Sequence, residues 1–183
     1  MSAASSTEMK SGNLGVTLST WVFILFSGGM PASDPSIVAA CEAIRDAGED
    51  DEIDALGQRL VEAILLALGS DEPGIGSVVA LAERLYGPEL VASDLGDASD
   101  RDERARAVRR YQFGRNLPWI ARIIDRFPDG SVGAHWVMVE ELTESVRVMD
   151  PYPWDDVDEQ YDIPLVDFMV KWELAGCESV RYA

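Results

Sequence analysis

The stretch Gly133–Pro151, GAHWVMVEELTESVRVMDP, limits most strongly what this chain can fold into. Its first part alternates: His135, Val137 and Val139 fall on one face of a strand, and Trp136, Met138 and Glu140 fall on the other. A short polar turn around Leu142–Glu144 reverses the chain. A second alternating run, Ser145–Met149, sets Val146 and Val148 on one face and ends at Asp150-Pro151. Proline stops the ladder there because it has no N–H to donate. The pattern predicts a hairpin with an imidazole at the start of one strand and a carboxylate at the end of its partner, positions that lie close in an antiparallel pair. A histidine steered by a carboxylate supplies two of the three parts of a nucleophilic triad. Taken singly, each residue has a plainer reading, His135 as an ordinary strand histidine and Asp150 as a turn former.

The residues after Pro118 share the strand texture. Trp119–Ile124 reads as a strand, and Pro151–Asp162 as an acidic loop punctuated by Tyr152, Trp154 and Tyr161. Leu165, Phe168, Met169 and Trp172 recur at helical spacing from Pro164 to Leu174, and Ser179–Tyr182 closes the chain as a strand. The earlier residues read as helices. Ser33-Asp34-Pro35 offers a capping side chain and then a proline in the first turn. That helix runs to about Ala47, with Ile37, Val38, Cys41 and Ile44 on one face. Asp50–Glu52 places acid where the next helix dipole favours it, and Ile53, Leu56, Leu60, Val61, Ile64, Leu65 and Leu68 follow at helical spacing before Gly69. Gly74–Tyr86 and Ser99–Tyr111 predict two more helices. Val16–Phe26 fits either a strand or a short buried helix, and residues 1–12 read as a mobile arm. Helices first and strands later predict an α+β fold. The expected organisation is one domain over 13–183, with a helical half at 13–115 and a sheet half at 117–183.

Composition narrows the function. The chain has 183 residues, a 47% hydrophobic share and five tryptophans, enough for a proper core. Its net charge of -18 argues against nucleic acid and anionic membrane as partners, since both are polyanions. It fits a basic peptide or protein partner, or a solvated surface of the kind found in salty cytoplasms. The two cysteines, Cys41 and Cys177, make no disulfide framework, and a single histidine makes no zinc site. The acidic run Asp155, Asp156, Asp158 and Glu159 lacks the spacing and glycine of a calcium loop, so no cofactor or metal is expected. Trp21–Phe26 is far short of the ~20 residues that span a bilayer. Without a signal-peptide pattern, a cytoplasmic protein is the default expectation.

The C-terminal half resembles papain-like cysteine peptidases of the compact bacterial kind, the double-glycine leader peptidases of bacteriocin exporters and the papain-like effector peptidases. The residues that carry the resemblance run in order over about 117–183. They are Trp119–Ile124, His135-Trp136-Val137-Met138-Val139, Val146 to Asp150-Pro151, Phe168 with Trp172, and Ser179–Tyr182. The resemblance implies a papain-like fold, with His135 as general base and Asp150 as the group that orients it. It also implies a cysteine nucleophile at the start of a helix in the N-terminal half, preceded by an oxyanion glutamine. Here the sequence departs from the family. Ser19-Thr20-Trp21-Val22-Phe23 resembles the papain-type Ser-Cys-Trp-Ala-Phe stretch, with Thr20 in the cysteine position and expected to begin a helix. A second register sets Ser33-Asp34-Pro35-Ser36 against the exporter peptidases' Cys-Gly-Pro-Ala, with Ser33 in that position. Neither register supplies a glutamine. A threonine hydroxyl is far harder to ionise than a thiol and serves as nucleophile mainly beside an N-terminal amine. Cys41, about two turns into its helix, reads as a core residue. The expected function is a degenerate peptidase that binds a peptide or protein partner in the former substrate cleft. The alternatives are an active peptidase or amidase that uses Cys41 or an unrecognised nucleophile, and a structural or immunity-type protein on another α+β fold.

Overall fold

The computed structural model describes residues 6–48, 50–69, 74–126, 130–150 and 160–183. It divides into two compact units, residues up to 91 together with Ala183, and residues 92–182.

The first unit is helical. It contains α1 (Ser6–Ser27), α2 (Pro35–Asp46), α3 (Asp50–Leu68) and α4 (Ile75–Tyr86). Residues 6–12, expected as part of an arm, belong to α1, which resolves the strand-or-helix ambiguity of Val16–Phe26 in favour of helix. The reason is length: a continuous helix satisfies its own backbone groups and needs no partner strand. It buries Leu14, Leu18, Trp21, Val22 and Leu25 along one side. At Gly15 the helix passes so close to α3 that a Cβ would lie 2.9 Å from Leu65 Cδ2. Asp34 caps α2, its carboxylate accepting from the Ser36 and Ile37 amides at 2.9 and 3.3 Å, with Pro35 in the first turn. Ile37 and Cys41 form the buried face of α2. Trp21 meets Tyr86 of α4 edge to face at 5.8 Å between ring centres, the geometry that aromatic quadrupoles prefer.

The second unit carries the sheet, except that the division falls within its first strand, between Val91 and Ala92. Strands β1 (Val91–Ala92), β2 (Trp119–Arg126), β3 (Val132–Leu142), β4 (Ser145–Met149), β5 (Gln160–Pro164) and β6 (Ser179–Tyr182) lie in the order β1-β6-β2-β3-β4-β5. β2 pairs antiparallel with both β3 and β6, and β3–β4–β5 continue antiparallel. Helices α5 (Arg101–Arg115) and α6 (Leu165–Leu174) belong to this unit, so the highly charged α5 goes with the sheet and not with the helical half. One sheet face presents Trp119, Ala121, Ile123, Val137, Val139, Val146, Val148 and Ile163 to Val108 of α5 and to Phe168 and Trp172 of α6. Helices before a mostly antiparallel sheet make the chain α+β.

A bulge interrupts β3 between Val139 and Glu141. It explains why Val139 and Leu142, three residues apart, both enter the same core, which strict alternation forbids. The bulge frees the Glu140 carbonyl from the ladder, and Gln112 of α5 donates its side-chain amide to it at 3.0 Å.

The last turn of α6 is tied to the first turn of α5. Arg101 donates to both carboxylate oxygens of Glu173 at 2.9 Å, and Arg104 donates to the same carboxylate. The guanidinium hydrogen bonds, that of Arg101 first, pull the Glu173 carboxyl from its ordinary 4.5 down to about 2. A carboxyl depressed in the folded state adds stability that is present above its unfolded pKa and lost as pH falls through the folded one. Glu173→Gln is therefore expected to cost about 1 kcal/mol near neutral pH, allowing for solvent screening of a surface cluster. The gap from wild type should close as pH falls from 4.5 to about 2. Urea midpoints across that range test this, and a gap independent of pH would mean that Glu173 acts by packing alone.

Candidate functional site

His135 is the fourth residue of β3 and sits opposite Ile123 of β2. Asp150 directly follows β4. The β3–β4 register pairs Met138 with Met149, so one step further along it Asp150 faces Val137, and His135 is its diagonal neighbour on the same sheet face. The side chains meet across that diagonal. His135 Nε2 lies 2.7 Å from Asp150 Oδ2, with the ring 4% and the carboxylate 0% exposed. A carboxylate accepts and does not donate, so Nε2 carries the proton of this bond. The tautomer and the ring plane are thereby set, and any proton taken from a nucleophile would go to Nδ1.

Tyr161 completes the cluster from β5. It pairs with Val148, which makes Asp150 its own diagonal neighbour, and its hydroxyl donates to the same Asp150 Oδ2 at 3.1 Å. Burial, then the nearby Asp150 charge, push the phenol well above its usual range, so it remains a donor. Two donors, from β3 and β5, thus converge on one carboxylate oxygen of the residue that follows β4. The sequence reading left Tyr161 in a loop. The available signal was Tyr161-Asp162-Ile163-Pro164, a short alternation closed by proline, which is the ending already recognised at Met149-Asp150-Pro151. Residues 151–159, including Tyr152, Trp154 and the acidic run from Asp155 to Glu159, lie outside the described residues.

The nucleophile candidates all lie in the helical unit. Thr20 does not begin a helix. It lies in the interior of α1, and its hydroxyl donates back to the Val16 carbonyl at 3.0 Å. Such back-bonding is the usual fate of a mid-helix threonine, and it places Thr20 away from the free N–H groups that lower a nucleophile's pKa at a helix start. Ser33 precedes the α2 cap, where Asp34 takes the capping role, and its hydroxyl donates to the Arg84 carbonyl at 2.7 Å. Cys41 is 0% exposed, and burial raises its thiol from 9.0 to about 11. In the sheet unit, burial likewise raises the half-buried Cys177. Among the described residues no cluster of His, Cys, Asp or Glu has the geometry to hold a metal ion, and no helix is long and apolar enough to cross a membrane.

Neither a protein-family model nor a curated protein matches this chain. A solved structure of a putative C39-like peptidase from Bacillus anthracis is similar to it with a TM-score of 0.43 and 16% identity, over 59% of this chain and 57% of that one. The chain thus spans little more than half the length of that protein. A likeness of this degree does not establish a common fold, so the papain-like reading rests on the chain's own residues.

Proposed function

We propose that this chain is a papain-like peptidase-fold protein that keeps its His135–Asp150 pair without a competent nucleophile and works by binding a peptide or protein segment. The observation that carries the reading is a contrast. The buried imidazole–carboxylate pair is assembled at 2.7 Å, while the Thr20 hydroxyl is spent on a helix carbonyl. One imidazole cannot ionise an ordinary hydroxyl at neutral pH without further help, and a thiol raised to about 11, as in Cys41, is almost wholly protonated. The excess of negative charge favours a basic segment as the partner. The intact pair also supports a second reading, an active peptidase or amidase in which His135 and Asp150 serve a nucleophile other than Thr20, Ser33 or Cys41.

A panel of fluorophosphonate and iodoacetamide probes on the native protein, followed by peptide mapping, separates the two readings. No serine or threonine should be labelled, and Cys41 should react only after denaturation. Stoichiometric labelling of a single residue that disappears in His135→Ala would overturn the binding reading and identify the nucleophile.

A further inference from the structure

Two donors from opposite sides meet at Asp150 Oδ2: the His135 imidazole from β3 and the Tyr161 hydroxyl from β5. The aspartate follows the end of β4, so the ladder does not hold it as it holds Val148. Rotation of a carboxylate about its last torsion is soft, with no staggered wells to fix it, so each further donor to the same oxygen narrows it. The Tyr161 ring is suited to this because its backbone is held in register opposite Val148, and a diagonal cross-strand reach of about 7–8 Å is within the length of an aromatic side chain. Among the described residues, Asp125 of β2 pairs with Lys171 of α6, and Glu140 of β3 accepts from Gln160.

We infer that Tyr161 is a positioning residue for the His135–Asp150 pair: its hydroxyl locks the carboxylate in the rotamer that aims Oδ2 at the ring and so keeps the imidazole in one orientation. The inference rests on the reading of His135 and Asp150 as a retained catalytic pair, and goes beyond it by adding a third member. Burial, then the nearby Asp150 charge, push the phenol up, so Tyr161 stays a donor to Asp150 through the neutral range.

The test uses the full chain with ring-labelled histidine, in which the only histidine gives a single set of ring-nitrogen signals. Wild type should show a slowly exchanging Nε2–H. Tyr161→Phe removes one oxygen and keeps the ring, and should speed that exchange about tenfold, the equivalent of one lost hydrogen bond to a charged group. The backbone amides of Val137 and Val139 should keep their protection. Unchanged ring exchange would overturn the inference, and so would equal acceleration of ring and backbone, which would make Tyr161 merely structural. Should Tyr161→Phe fail to fold, Tyr161→3-fluorotyrosine carries the test, since its more acidic phenol donates more strongly and must move the ring-nitrogen resonance; an unmoved resonance overturns the inference. Asp150→Asn separates the two levels. If it leaves the ring signal as in wild type, the pair itself is misread; if it alters the signal while Tyr161→Phe does not, only the role of Tyr161 fails.

Discussion

Asp150→Ala is expected to cost about 3–5 kcal/mol of folding stability, the range for breaking a buried hydrogen-bonded pair by removing one partner. The carboxylate is fully buried and accepts from both His135 and Tyr161. Deleting it leaves a ring N–H and a hydroxyl aimed into a dry gap, each worth about 1–3 kcal/mol when unmet. Asp150→Asn should cost much less, because the amide oxygen still accepts while the shape is kept. Guanidinium midpoints at constant m-value measure both effects. An alanine variant within about 1 kcal/mol of wild type would mean that water reaches the site, since exposed pairs are worth no more than that.

The hairpin was legible because both signals in it are local. Alternation fixes which side chains share a face, and Pro151 fixes where the ladder stops, so His135 and Asp150 could be set side by side without knowing the rest of the fold. What alternation could not show was the bulge at Glu140. A bulge is a single extra residue, and its stabilising partner, Gln112, comes from a distant helix. Tyr161 was missed for a related reason. A five-residue edge strand leaves only two or three alternations to read, and an acidic, aromatic run before it reads as loop by composition.

Thr20 failed differently. The likeness of Ser19-Thr20-Trp21-Val22-Phe23 to a peptidase stretch is a likeness of side chains. A nucleophile's activation depends on where the helix begins, which those five residues do not encode. No capping residue with proline or acid stands just before Thr20, as Asp34-Pro35 stands before α2, and α1 begins far upstream at Ser6. The capping signals that placed α2 correctly also argued against Thr20 as a helix start, and they were the better guide.

The second large effect is expected at Trp172. The residue is fully buried on the sheet side of α6, edge to face with Trp119 at 5.5 Å and stacked near Phe168 at 6.1 Å between ring centres. Its indole N–H donates to the Glu178 carbonyl at 2.9 Å, which ties α6 to the chain just before β6. Trp172→Ala empties a large volume that the neighbouring rings cannot fill, because both already sit in fixed contacts, and should cost about 3–5 kcal/mol. Trp172→Phe keeps an aromatic ring and loses the N–H, while the Glu178 carbonyl still accepts from the Arg122 amide, so its cost should fall nearer about 1–3 kcal/mol, set by one lost hydrogen bond and a smaller cavity. The pattern across sites is more informative than either value. Trp172→Phe should leave the slow Nε2–H signal of His135 in place, since the indole N–H is given to Glu178 and not to Asp150, whereas Asp150→Ala should abolish that signal. A Trp172→Phe variant that lost the histidine signal while remaining folded would show that the sheet and α6 position the pair as one unit, and that Tyr161 alone does not hold it.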